Sequence, residues 1–484
     1  MIHKQTIFRL LVFPACLIGI VQVLFGALAK WVFNDGVSAD FFIPAAVILV
    51  AAIGTTRVLP RMNISAINTL DAMLFAVSTW VSMGFLAAIP IYFIAEVSVS
   101  DSVFESISAL TTTGATILSQ LDDMPKSFLM YRQFLQWLGG LGVVIFVVAI
   151  LPLLNVGGMT LLKAETPGPI KDDKLTPRTV NSAHYLWLVY VALTLACALA
   201  YYLAGMSMYD AIAHSFTTVS TGGFSTHDSS LGYFNSLSIL WISNVFMILG
   251  AINFALHYRV FSQHKLAEYW RDEETRVFIG VIVAASLLIT IGLLRDHHYS
   301  SEFVAFSQAT FHLISFITST GFGAGDYTDW PGYLALILLV AAYQGGCAGS
   351  TAGGNKIIRT TIAFKLLIHE NHKLVHPNGV FTIKYQGKPI DAAVISAVIA
   401  FLSINAFISL VLTMAMMATG LDFYSALTAV AACINVLGPA FGQLSSNFQP
   451  VSDAGMWVLD FAMILGRLEF FTVLALLLPT FWRH

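Results

Sequence analysis

Residues 316–323 read Phe316-Ile317-Thr318-Ser319-Thr320-Gly321-Phe322-Gly323. The run is mildly apolar, compatible with a helix, and stops at a glycine. Three other stretches do the same. They are Ser108-Ala109-Leu110-Thr111-Thr112-Thr113-Gly114-Ala115, Phe216-Thr217-Thr218-Val219-Ser220-Thr221-Gly222-Gly223-Phe224 and Ala432-Cys433-Ile434-Asn435-Val436-Leu437-Gly438-Pro439. Matching Gly114, Gly222, Gly321 and Gly438 gives spacings of 108, 99 and 117 residues. A unit of helix, short re-entrant segment and helix is thereby used four times.

The rest of the chain supplies the flanking helices. Of its 484 residues, 57% are hydrophobic and only 11% are charged, roughly half the charged share of a soluble protein. Apolar runs of membrane-spanning length recur throughout. The expected spans are 7–29, 42–58, 73–95, 130–154, 184–204, 236–258, 277–294, 333–344 continuing as 355–369, 393–418 and 455–481. The first is read as a retained helix. The four short segments, near 101–113, 209–221, 305–320 and 422–437, cannot span. The four cysteines are widely spaced and suggest neither disulfides nor zinc.

Of the 24 Lys and Arg, 19 fall on the side of the N-terminus, four on the other, and Arg467 within a span. That asymmetry places both termini in the cytoplasm. It also puts all four short segments outside, so the repeats are parallel rather than inverted. The outer side carries the acids, among them Glu105, Asp122, Asp210, Asp228 and Asp422, which predicts a vestibule that concentrates cations.

Four short helices entering from one side aim the negative ends of their dipoles at one axis. A glycine after each lets the backbone turn its carbonyl oxygens toward that axis. Four such strands can replace the hydration shell of a monovalent cation. Non-helical backbone at membrane depth requires burial in protein or contact with water, which this arrangement satisfies. Small residues also serve plain helix packing, but four in the same topological place argue for the pore.

A second stretch, Gly345-Gly346-Cys347-Ala348-Gly349-Ser350-Thr351-Ala352-Gly353-Gly354-Asn355-Lys356, looks at first like a phosphate loop. It misses the GxxxxGK[ST] spacing by one residue and follows a span rather than a strand. Read as part of the third unit, it breaks a helix below the filter. Gly345, Gly346, Gly349, Gly353 and Gly354 supply flexibility, and Ser350, Thr351 and Asn355 help satisfy freed backbone. That predicts a gate, with a static kink as the alternative. Arg467, in the middle of the last span, must face water or a partner. A cation there would hinder conduction or tune the gate, and Lys356 is a weaker candidate for the same role. A proton- or sodium-coupled symporter would need an acid in the path, and Asp460 and Glu469 are the acids inside spans. A membrane enzyme ranks last, since no nucleophile and base converge. His369, His372 and His376 lack a carboxylate or cysteine to complete a metal site.

Taken with Tyr131-Arg132-Gln133-Phe134-Leu135-Gln136-Trp137, Gly222-Gly223-Phe224-Ser225-Thr226-His227 and Gly466-Arg467-Leu468-Glu469, these stretches resemble the Trk/Ktr/HKT superfamily of potassium transporters. Ser319-Thr320-Gly321-Phe322-Gly323 is similar to the potassium-channel filter TVGYG. Two extra N-terminal helices favour the Trk branch. The resemblance implies an all-α polytopic membrane protein with four parallel re-entrant repeats around one pore. Its divisions would be 1–70 (two extra helices), 71–160, 161–262, 263–374 with a gating loop at 345–356, and 375–484. It implies a K+ filter lined by backbone carbonyls of Thr112, Thr113, Gly114, Thr221, Gly222, Gly223, Thr320, Gly321, Phe322, Asn435, Val436, Leu437 and Gly438. It further implies no tightly bound cofactor, K+ as the transported ion and a homodimer. A TrkA-like cytosolic nucleotide-binding regulatory subunit would dock on loops 155–182, 259–276 and 370–390. The location would be the bacterial cytoplasmic membrane.

Overall fold

The computed structural model describes residues 4–59, 69–145, 179–299, 301–325, 327–468 and 470–483. Among the described residues the regular structure is helical apart from one antiparallel hairpin, in which Lys384 and Tyr385 pair with Pro389 and Lys388. Among the described residues, six helices are long and apolar enough to cross a membrane: Gln5–Phe33, Ser38–Val58, Leu70–Ala95, Tyr185–Leu203, Glu273–Arg295 and Ala392–Ala418. The first two pack closely because Gly19 and Gly26 leave room for Leu49 and Phe42.

Four short helices, Val99–Leu110, Met208–Val219, Glu302–Ile317 and Phe423–Ile434, lie in the core. Each follows a long helix (Thr69–Ala95, Thr179–Leu203, Glu273–Arg295, Ala392–Ala418). Each precedes another (Lys126–Ile145, Leu237–Ala251, Gly332–Gln344, Asp453–Leu468). Three of the four short helices start at side-chain caps. Ser98, Ser207 and Asp422 accept hydrogen bonds from the backbone N–H groups of Asp101, Asp210 and Ser425. Several of their buried hydroxyls are satisfied by backbone carbonyls: Thr218 donates to the His214 carbonyl one turn back at 2.7 Å, and Ser106 to that of Gly84 on the preceding long helix at 2.8 Å.

One expected span is bent within its length. Residues 236–258 form two helices, Leu237–Ala251 and Phe254–Gln263, bent by 99°. Asn253 starts the second by accepting from the Ala255 N–H at 2.8 Å, a cap signal inside an apolar run. The glycine-rich loop fills the break: Cys347 N–H donates to Ala251 O at 2.9 Å, and Phe254 N–H to Gly349 O at 3.1 Å. The last span is helical over its described residues, Asp453–Leu468 and Phe470–Leu477. The span expected as 333–344 continuing as 355–369 is two helices, Gly332–Gln344 and Ile357–Val375, with the glycine-rich loop between them as the sequence predicts. Glu469, the end of the 130–154 span and most of loop 155–182 lie outside the described residues.

Candidate ion pathway and gate

The four short helices end alike. Their C-caps, Thr111, Ser220, Thr318 and Asn435, all have φ between −92° and −73° and ψ within 8° of zero. The next residues, Thr112, Thr221, Ser319 and Val436, are all left-handed, with φ of 60°, 54°, 52° and 57°. The residue after that closes a six-residue hydrogen-bonded turn in each case. Thr113 N–H donates to Ser108 O at 2.9 Å. Gly222, Thr320 and Leu437 N–H groups reach Thr217, Ser315 and Ala432 carbonyls, each at 2.8 Å. These are Schellman-type ends in which Thr, Ser or Val stands where glycine is usual. A left-handed non-glycine costs on the order of 1–3 kcal/mol, and the surrounding core holds four in phase.

The register corrects the sequence reading at two places. Positive φ returns at Gly114, Gly223, Gly321 and Gly438, so Gly223, not Gly222, matches the other three. Ser319 opens the third strand. Phe322 lies past its glycine, and its carbonyl accepts from the Ser315 hydroxyl at 2.8 Å. The double glycine of the second strand made the phase ambiguous in sequence.

The four strands close on one another. A Cβ on Gly114 would meet Gly222 O at 2.1 Å, and one on Gly223 would meet Thr320 O at 1.9 Å. One on Gly321 would meet Leu437 O at 2.1 Å, and one on Gly438 would meet Thr113 O at 2.6 Å. First touches second, second third, third fourth and fourth first. The carbonyls of Thr113, Gly222, Thr320 and Leu437 thus occupy one level of a closed ring, and only glycine fits beside each.

Side chains from the short helices brace the strand exits. Glu105, fully buried, accepts from Ile117 N–H at 3.1 Å and from Thr116 Oγ1 at 3.0 Å. Arg132, also fully buried, donates to Glu105 at 2.8 Å through Nε and lies over the Phe224 ring, 4.2 Å from its centroid. This pair was expected among the outer surface charges and is instead core. His214 bonds Ser225 Oγ at 2.9 Å, and His312 accepts from Ala324 N–H at 3.3 Å. Asp422 is spent on capping, and Asp228 accepts from Leu121 N–H at 2.9 Å. Much of the outer acidity is therefore structural. His227 pairs with Asp122, and its Nε2 lies 3.4 Å from Asp210. Burial opposes the charged imidazole, but its two carboxylate partners outweigh that and raise the His227 pKa.

The 345–356 loop lies against the other end of the strands. Thr351 Oγ1 donates to Val219 O at 3.1 Å or Gly250 O at 3.0 Å, and Thr221 Oγ1 reaches it at 3.2 Å. Gly353 N–H donates to Ser319 Oγ. A Cβ on Gly353 would stand 2.2 Å from Asn435 O. The loop therefore touches the feet of the second, third and fourth strands. Gly345, Gly349 and Gly354 have φ of 73°, 72° and 75°, which explains three of its glycines. The other two answer to crowding: a Cβ on Gly346 would meet that of Ala352 at 2.6 Å, and Gly353 abuts Asn435. Ser350 Oγ donates to Cys347 O at 2.6 Å. Lys356 Nζ donates to Ala352 O, within the loop.

Arg467 is buried and spans the assembly. Nη1 donates to Thr351 O at 3.0 Å and Nη2 to Gly139 O at 3.2 Å. Its described hydrogen-bond partners are backbone carbonyls rather than a carboxylate. Glu274 was absent from the sequence reading. Its Oε1 accepts from Ala348 N–H at 2.8 Å and Ile358 N–H at 3.2 Å, pinning both ends of the loop. Gln136 and Gln133, which enter above only through the resemblance, also make buried polar contacts, and two glutamines three apart in an apolar span are a signal of that.

A ring of backbone carbonyls inside a bundle of apolar helices belongs to a polytopic membrane transporter. The comparisons agree and are more specific: the chain belongs to the TrkH family of cation transport proteins, matching it over residues 41–481. It is 44% identical over 469 residues to the Trk system potassium uptake protein TrkH of Vibrio parahaemolyticus, covering 96% of each chain. It is 42% identical over 477 residues to TrkH of Escherichia coli K12, covering 97% of this chain and 98% of that one. The crystal structure of the potassium transporter TrkH from Vibrio parahaemolyticus superposes with a TM-score of 0.91 at 41% identity, covering 100% of both.

Proposed function

We propose that this chain carries potassium inward across the bacterial cytoplasmic membrane through a selective pore gated by the 345–356 loop. The observation that carries the reading is the closed ring of Thr113, Gly222, Thr320 and Leu437 carbonyls beside Gly114, Gly223, Gly321 and Gly438. Dipoles without full charges suit weak, fast binding of a monovalent cation. The two relatives named above are potassium uptake proteins, which agrees with it. Thr112, Thr221 and Val436 form the next level below, with Ser319 added to the expected set, and Asn435 sits at the fourth strand's foot. Gly345, Gly346, Gly349, Ser350, Thr351, Gly353, Gly354 and Lys356 form the gate, and Arg467 latches it.

Both termini lie in the cytoplasm in this reading, and the repeats divide at 71–160, 161–262, 263–374 and 375–484. The pore works as a homodimer. A TrkA-like nucleotide-binding subunit acts on the cytosolic face and moves the gate. Rubidium uptake into proteoliposomes of the purified protein with that subunit tests the reading: uptake that excess potassium blocks and excess sodium does not supports it. Equal block by both ions would refute it.

Proton-coupled symport is the second reading. Asp460 favours it, being buried with neither carboxylate oxygen hydrogen-bonded among the described residues.

A further inference from the structure

The helix Lys126–Ile145 belongs to the first repeat, yet it holds the filter strand of the second. Gln136 Nε2 donates to the Gly222 carbonyl at 2.6 Å. Gln136 Oε1 accepts from the Phe224 N–H at 3.1 Å. Gln133, one turn earlier, donates to the Phe224 carbonyl at 3.4 Å. Both glutamines are fully buried.

The Gly222 carbonyl is one of the four at the ring level. The carbonyls of Thr113, Thr320 and Leu437 accept no hydrogen bond from the protein among the described residues. One ring oxygen is therefore engaged and three are free. The double glycine follows from this. Gly223 supplies the positive φ, while a Cβ on Gly222 would stand 2.5 Å from Gln136 Cδ. The other strands carry Thr, Thr and Leu at that place because no glutamine approaches them there.

We propose that Gln136 is a specificity-determining positioning residue of the pore: by donating to the Gly222 carbonyl it fixes that oxygen in the ring and weakens it as a cation ligand. The proposal rests on the pore reading above. A carbonyl that already accepts a hydrogen bond offers less negative charge to an ion, and one held from behind cannot close around a smaller ion. Both effects disfavour sodium more than potassium, since selectivity depends on the number, field strength and freedom of the ligands.

The test is the bi-ionic potassium–sodium reversal potential of the full-length protein in a planar bilayer. Gln136→Glu keeps the shape and the acceptor for Phe224 N–H but removes the donor to Gly222. Gln136→Met keeps the bulk and removes both. Each should lower the potassium-to-sodium permeability ratio about three- to tenfold, the worth of one lost hydrogen bond. Gly222→Ala, whose methyl displaces the amide, should lower it in the same direction. An unchanged ratio in the variants that conduct would overturn the proposal, as would failure of all three to assemble, because the role would then be only structural. Gly321→Ser is measured alongside. If it shifts the ratio and the Gln136 variants do not, the pore reading stands and Gln136 is excluded. If Gly321→Ser leaves the ratio unchanged, the pore reading itself fails.

Discussion

Arg467 Nη1 donates to the carbonyl oxygen of Thr351 at 3.0 Å, joining the last long helix to the middle of the glycine-rich loop. The same guanidinium holds Gly139 O on the second helix of the first repeat. Hydrogen bonds from a charged donor are worth about 1.5–3 kcal/mol each. In the proposed function, a buried cation so placed is the latch that keeps the loop against the strand feet. Arg467→Gln should loosen it. Rubidium uptake without the regulatory partner should rise about tenfold, the effect of one such bond. Uptake at or below the wild-type level would remove the latch from the account.

The ring geometry separates neighbouring glycines from more distant ones. A serine Cβ at Gly223 would press on Thr320 O from 1.9 Å, and one at Gly114 on Gly222 O from 2.1 Å. Gly223→Ser and Gly114→Ser should each abolish discrimination between potassium and sodium. A Cβ at Gly280, within a helix, meets nothing within 4 Å, so Gly280→Ala should conduct with wild-type selectivity. Reversal potentials of the three variants check this, and retained selectivity in Gly223→Ser would show that the second strand is misassigned.

Glu105 and Arg132 form a buried pair behind the first strand. Removing one partner leaves an uncompensated charge and costs about 3–5 kcal/mol, whereas replacing both with apolar residues is often tolerated. Arg132→Met should unfold at markedly lower temperature in detergent. Glu105→Leu combined with Arg132→Met should recover most of the loss. Double-variant stability no better than the single would mean that the pair is not the source of the effect.

The outer cap predicts a pH response. His227 links Asp122 and Asp210, and its ring stacks on Tyr233 with centroids 3.4 Å apart. Its pKa is raised in the folded protein: burial works against the charge, and the carboxylates prevail. The stabilisation is therefore complete below the ordinary histidine value and is lost as pH rises through the folded value. Burial raises the Asp122 pKa, but the bonds from His227 and Asp228 lower it overall. Its contribution is present above the ordinary carboxylate range and is lost in acid. Thermal unfolding should thus move to lower temperature as pH rises above the ordinary histidine value of about 6.5, and His227→Gln should flatten that slope. An equal slope in the variant would contradict the assignment.

The sequence makes some of this legible and hides the rest for physical reasons. The four re-entrant units show because each needs the same helix, turn and glycine. The glycine-rich break shows because five glycines cannot continue a helix. The bend at Ile252 and Asn253 does not show: its residues are apolar enough to span, and its freed backbone groups are satisfied by a loop about a hundred residues away. Glu105 and Arg132 look like surface charges because a charge count carries no information about pairing. The register of the second strand is hidden by Gly222, which is glycine for the sake of Gln136 rather than for the ring.

The most direct test of the central claim is the reversal potential of the purified protein in a planar bilayer, with the proposed regulatory partner, under a potassium–sodium gradient and then a pH step. The account predicts a value near the potassium equilibrium potential that the pH step leaves unmoved. A value near zero in bi-ionic conditions would contradict the selective ring, and one that follows the proton gradient would replace the passive pore with coupling through Asp460.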